Sequence, residues 1–99
     1  MNFTALLGAA MRYYADVPVK CRGCGMDSMA MTPPMKDGDD MLTLLMCRSC
    51  GRMEARLSLG DGRSMKRVLK PANPARITAM LVIKFLFNRD ELLEFFKDG

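Results

Sequence analysis

Cys21-Arg22-Gly23-Cys24-Gly25 and Cys47-Arg48-Ser49-Cys50-Gly51 are two copies of one pattern, and together they hold all four cysteines of the chain. Each copy presents two thiols across a tight turn, and the glycine after the second cysteine permits a positive φ there. Folding the backbone back in this way lets nearby amide N–H groups point at the sulfurs. Two such turns, 22 residues apart, can set four soft ligands at the corners of a tetrahedron, which is what a structural Zn²⁺ needs. The candidate ligands are Cys21, Cys24, Cys47 and Cys50.

Other uses of the thiols can be weighed. A thioredoxin-type redox pair is one Cys-x-x-Cys beside a βαβ pattern, whereas two copies with matched flanks favour a metal. Disulfides need an oxidising compartment, and no export signal is read at the N-terminus, so a cytoplasmic protein is expected. Iron–sulfur centres also use four cysteines, which leaves the metal inferred. The chain has no histidine. Every position of the site is then a thiolate, with none open to water or substrate, and the expected role is structural.

At 99 residues the chain is expected to be one domain, near the size where an apolar core alone is marginal. A metal clamp helps, because its binding energy becomes folding energy. Hydrophobic residues make up 49% of the chain, which excludes a disordered tail, and the 11 methionines suit an adaptable core. The formal charge of +4 drops by two when four thiolates hold Zn²⁺, too little for a whole-chain argument. Its distribution says more. Arg52, Arg56, Arg63, Lys66, Arg67, Lys70 and Arg76 fall within residues 51–76, opposed only by Glu54 and Asp61. Such a patch is the electrostatic footprint of a phosphate-binding surface, or else a solvated face that keeps a Met-rich protein soluble.

Along the chain, residues 1–16 read as a helix capped at Asn2 or Thr4. Phe3, Leu6, Leu7, Ala10, Met11 and Tyr14 form its apolar stripe, and Asp16-Val17-Pro18 ends it. The apolar run Phe3 to Met11 lacks the basic region of a signal peptide. The next unit, 19–59, holds both cysteine turns. A strand is expected over 27–32, stopped by Pro33-Pro34, then a hairpin tip at Asp37-Gly38-Asp39-Asp40 and a strand over 41–47. Met53, Ala55, Leu57 and Leu59 alternate with polar residues, giving a strand with one buried and one charged face.

Residues 60–76 read as a basic connector, in which 63–70 fits either a fourth strand or a helical turn. Asn73-Pro74 suits a cap and first helical position. The apolar run over 77–87 fits a helix or a buried strand, with Pro74 favouring helix; Lys84 and its shortness exclude a bilayer span. Asn88 to Glu91 resembles a capping box opening a last helix within 77–99. An apolar segment of this kind needs a second wall, from helix 3–15, from a partner, or from another copy of the chain through residues 77–96.

Paired Cys-x2-Cys turns, an intervening hairpin and a strand leaving the second turn resemble a zinc ribbon over about residues 19–59. The expected fold is therefore a small α+β metal-stabilised domain: a three-stranded antiparallel zinc ribbon with an N-terminal helix and a C-terminal helical segment. The ribbon is similar to the C-terminal one of transcript-cleavage elongation factors. In that family an acidic pair at the hairpin tip enters RNA polymerase and helps hold a catalytic metal, and Asp39-Asp40 stands roughly at that place. A solvated turn is the other meaning of these aspartates.

The expected function is binding of DNA or RNA in transcription regulation, without catalysis. Arg22 and Arg48 on the two turns, with Arg52, Arg56, Arg63, Lys66, Arg67 and Lys70, are the candidates for tracking phosphates. The alternative is an adaptor or inhibitor docking on a larger protein such as RNA polymerase, through the Met-rich ribbon and the apolar C-terminal segment. An enzyme is the weakest fit, since no glycine-rich phosphate loop or nucleophile–base set stands in the sequence.

Overall fold

A computed structural model describes residues 15–97. The helix expected over 1–16 lies outside the described residues except at its end, where Ala15 and Asp16 belong to a strand. Six strands form one antiparallel sheet: β1 (Ala15–Val17), β2 (Met29–Met31), β3 (Met35–Asp37), β4 (Asp40–Met46), β5 (Met53–Ser58) and β6 (Ser64–Leu69). Two helices follow, α1 (Pro74–Phe87) and α2 (Arg89–Lys97).

The class is α+β, as expected, but the sheet has six strands instead of three and runs well past the 19–59 unit. Residues 60–76 are not a connector. They contain β6, paired with β5 from Met53↔Leu69 to Ser58↔Ser64. This pairing makes Ser64–Leu69 a strand, with half-buried Met65, Arg67 and Leu69 alternating with exposed Ser64, Lys66 and Val68.

β2 and β3 both pair with β4 and form one strand broken by Pro33-Pro34, which offer no amide donors. Thr32 repairs the gap. Its N–H donates to the Leu44 carbonyl at 2.9 Å, and its Oγ1 accepts the Leu44 N–H at 3.1 Å. A side-chain oxygen thus accepts the Leu44 N–H in place of a main-chain carbonyl, inside a fully buried site.

β4 divides two cores. Leu42 and Leu44 face Ala55, Leu57 and Met35, and this face is covered by Leu81, Val82 and Phe85 of α1 and Leu92 and Phe96 of α2. Leu45 points the other way, into a smaller cluster with Cys21, Met29 and Cys47. The second wall for the apolar C-terminal segment is thus the protein's own sheet. Residues 77–87 are helical: Asn73 Oδ1 accepts the Arg76 N–H at 3.2 Å and Pro74 occupies the first turn. Only half of the capping box forms before α2, with Asn88 Oδ1 accepting the Glu91 N–H at 3.3 Å. The Asn88 N–H goes back to Lys84 O at 2.9 Å, so the other half has no donor to take. No described helix is long and apolar enough to cross a membrane.

Candidate functional site

The two cysteine turns have matching backbones. The first joins β1 to β2 and the second joins β4 to β5. In the first, Gly25 N–H donates to Cys21 O at 2.8 Å and Cys21 N–H to Met26 O at 2.8 Å. In the second, Gly51 N–H donates to Cys47 O at 2.9 Å and Cys47 N–H to Arg52 O at 2.8 Å. Gly25 and Gly51 take φ of 82° and 81°, the left-handed conformation the sequence pattern requires.

This repetition brings all four sulfurs within 4.8 Å of one another. Across the turns, the Cys21 and Cys50 sulfurs stand 3.6 Å apart and those of Cys24 and Cys47 3.5 Å. A regular tetrahedron with Zn–S bonds of about 2.3 Å has sulfurs about 3.8 Å apart, so the cage is of the right size. Cys21, Cys24, Cys47 and Cys50 are therefore positioned to bind a metal ion, and four thiolates are a donor set consistent with zinc.

The surroundings of the thiols are unequal. The Cys50 amide, then that of Ser49, donate to the Cys47 sulfur and bring it down to about 6, against the effect of burial. Cys21 is lowered by the Cys24 and Gly23 amides in the same way. At Cys24 the Met26 amide pulls downward, but the Cys47 thiol, burial and the other two sulfurs prevail and push it up to about 11. Four thiolates in so small a cage repel one another, and a divalent cation relieves that repulsion.

Beside the first turn lies a cleft of about 510 Å³. One wall is the turn itself, with Lys20 and Arg22. The other is the outer end of the sheet, with Arg52, Glu54, Arg56 and Lys66. Arg56 and Lys66 are cross-strand partners on the sheet face opposite the helices. Among the described residues, Glu54 is the single carboxylate of the cleft, and it pairs with Arg56. Arg52 crosses to the first turn and packs on Gly23, where a Cβ would stand 3.1 Å from its Cδ.

Of the eight basic candidates, Arg22, Arg52, Arg56 and Lys66 meet in this cleft. Arg48 sits on the second turn and pairs with Asp16 of β1 at 3.2 Å. Arg63 pairs with Asp61 at 2.7 Å in the β5–β6 turn, where its amide first, then its guanidinium, hold that carboxyl below its usual range against burial. Lys70 is exposed just beyond β6. Arg67 is a correction. Strand alternation turns it away from Lys66 onto the helix face, where it donates to Phe95 O at 2.8 Å and lies 4.3 Å above the Phe95 ring. Lys20, which is not among the eight, joins the cleft as well. Its place next to Cys21, on the same turn as Arg22, is the signal in the sequence that points to it.

The acidic tip is docked on its own protein. Asp40 accepts the Gly60 N–H at 2.8 Å and an ion pair from Arg89, which also reaches Asp37 at 2.8 Å. Arg89 lies 4.3 Å above the Phe85 ring and donates to the Phe85 carbonyl, so the tip is tied to the start of α2. Asp39 is exposed, with its Cβ close against Gly60.

Neither a protein-family model, nor a curated protein, nor a solved structure matches this chain.

Proposed function

We propose that this is a non-catalytic zinc-ribbon protein that grips nucleic acid in the basic cleft beside its metal centre and acts in transcription regulation. The observation that carries the binding reading is the convergence of Lys20, Arg22, Arg52, Arg56 and Lys66 around one cleft in which Glu54 is the only carboxylate among the described residues. These residues come from two separate stretches, 20–22 and 52–66, and only folding brings them together. Arginine and lysine around a concave surface suit phosphate oxygens. The metal fixes one wall of that surface and the sheet fixes the other. The transcription role rests on the resemblance of the paired cysteine turns and their strands to elongation-factor ribbons. The docking of Asp40 on Arg89 and Gly60 favours a tip that holds the fold over one that reaches into an enzyme.

The adaptor alternative draws on the methionines and the apolar C-terminal segment. Part of this material is consumed by the fold: Met29, Met35 and Met53 are buried, as are Leu81, Val82, Phe85, Leu92 and Phe96, while Met26, Ile83 and Phe87 are exposed.

The test is a titration of the zinc-loaded protein against labelled DNA and RNA at low salt. Binding should weaken steeply as salt rises. A triple variant, Arg22→Glu, Arg56→Glu and Lys66→Glu, should lose affinity at least about tenfold, since three phosphate partners are reversed in charge together, with metal content unchanged. Absence of binding to either polymer overturns the proposal. A nuclease-treated pull-down that retains one dominant protein would then support the adaptor.

A further inference from the structure

Building on that reading, we infer that the cleft takes a single nucleic-acid strand, not a duplex, and that the strand's backbone runs from the first cysteine turn out over the sheet face opposite the helices. Two observations carry this. The cleft is recessed between its two walls: Arg52 is half-buried, and the Glu54 side chain beside Arg56 is only 16% exposed. A duplex is read by protruding helices or ribbons that enter its grooves, whereas a recessed cleft of about 510 Å³ closes around one chain.

The cleft also has a continuation. On the same sheet face, Thr43, Arg56 and Lys66 form one cross-strand row, and Met41, Ser58 and Ser64 form the next. The two rows are about 6.8 Å apart along the strands. Ser64 is exposed, and Thr43 and Ser58 are half-exposed. Hydroxyls following cations in this way hold phosphates and sugars without reading bases.

No described residue lining the cleft is aromatic. Without a stacking platform, affinity comes from the backbone, so it depends on salt and hardly on sequence. With five cations and one carboxylate in the cleft, about four phosphates are neutralised, and log K should fall against log salt with a slope of about −3.

The experiment measures anisotropy of labelled oligothymidine, oligoadenosine and a duplex of equal length with the zinc-loaded protein over a salt series. Both single strands should bind alike and at least about tenfold tighter than the duplex. The double variant Ser58→Glu, Ser64→Glu, at positions outside both cores, should weaken single-strand binding about tenfold with metal content and helical signal unchanged. Equal or tighter duplex binding overturns the single-strand inference and leaves the proposed function standing. Loss of all binding to nucleic acid defeats both. Unaltered binding by the double variant overturns the path over the sheet.

Discussion

Arg52 leans across Gly23, so the segment leaving the second cysteine turn rests on the middle of the first. A Cβ at Gly23 would stand 3.1 Å from Arg52 Cδ and 3.7 Å from the Cys21 sulfur. The backbone at Gly23 is not in the left-handed region, so alanine is tolerated there and only the arginine must yield. Gly23→Ala should keep full metal stoichiometry and a tetrahedral Co²⁺ spectrum. It should shift Arg52 and reduce nucleic-acid affinity by roughly three- to tenfold, up to about the lower end of what one charged hydrogen bond supplies. Measuring metal content and anisotropy on the same sample checks this.

Metal removal should dismantle one core and spare the other. The cluster of Cys21, Met29, Leu45 and Cys47 contains the ligands, whereas the cluster under the helices contains no cysteine. Chelation should therefore release amide protection around residues 20–26 and 47–52. Protection over 42–44, 53–57 and 78–85 should persist in weakened form. Hydrogen exchange with and without chelator measures it, and uniform loss of protection would refute the division.

Acid should expel the metal. Only thiolates bind, so protonation of Cys47 as pH falls through about 6 weakens binding. At neutral pH Cys47 is already ionised and Cys24, near 11, is not, so loading must release protons, though fewer than four. Calorimetry in buffers of different ionisation enthalpy counts them. In the metal-free protein the signs oppose. Cys47, lowered from 9.0 to about 6, adds stability as pH rises from 6 to 9. Cys24, raised from 9.0 to about 11, keeps its contribution below 9 and loses it as pH rises to 11. Stability of the metal-free form from these two thiols should peak near pH 9, which denaturant titrations across that range would show.

Arg89→Ala should cost about 1–3 kcal/mol, because it removes a charged hydrogen bond to a carbonyl, ring stacking and two ion pairs at once. Asp37 and Asp40 then lose the cation they share with the Phe85 carbonyl. The thermal midpoint should fall by roughly 4–20 °C for a domain of this size, with zinc content unchanged.

Thr32→Val is close in shape and removes one oxygen. It leaves the buried Leu44 N–H without its acceptor, at a cost of about 1–3 kcal/mol. Thr32→Ser, which restores the oxygen, should recover most of that loss. Chemical denaturation of the three proteins checks the order.

What the sequence disclosed was what is local. The cysteine turns are written in five consecutive residues each, and the geometry of Gly25 and Gly51 follows from them. The α1 cap is legible in Asn73-Pro74 for the same reason. β1 and β3 span three residues each, too few to show a period, so neither is legible in the sequence. In 63–70, Met65, Val68 and Leu69 fall at helical spacing, and only pairing with β5 decides for a strand. That decision also sends Lys66 and Arg67 to opposite faces, so the basic patch could be located in the chain but not assigned to a side. Arg89 is separated from Asp40 by 49 positions, and no local pattern announces such an ion pair.

β4 reads as a nearly uninterrupted apolar run, the sort of strand that ought to slide past its neighbours with little penalty. Its Leu44 and Leu45 serve opposite sides of the sheet, one under the helices and the other under the thiol cage. A slip of one position would exchange those assignments, turning Thr43 into the core under the helices and pulling Cys47 out of reach of its partners. An ion held by Cys47 would therefore also help keep this hydrophobic ladder in step.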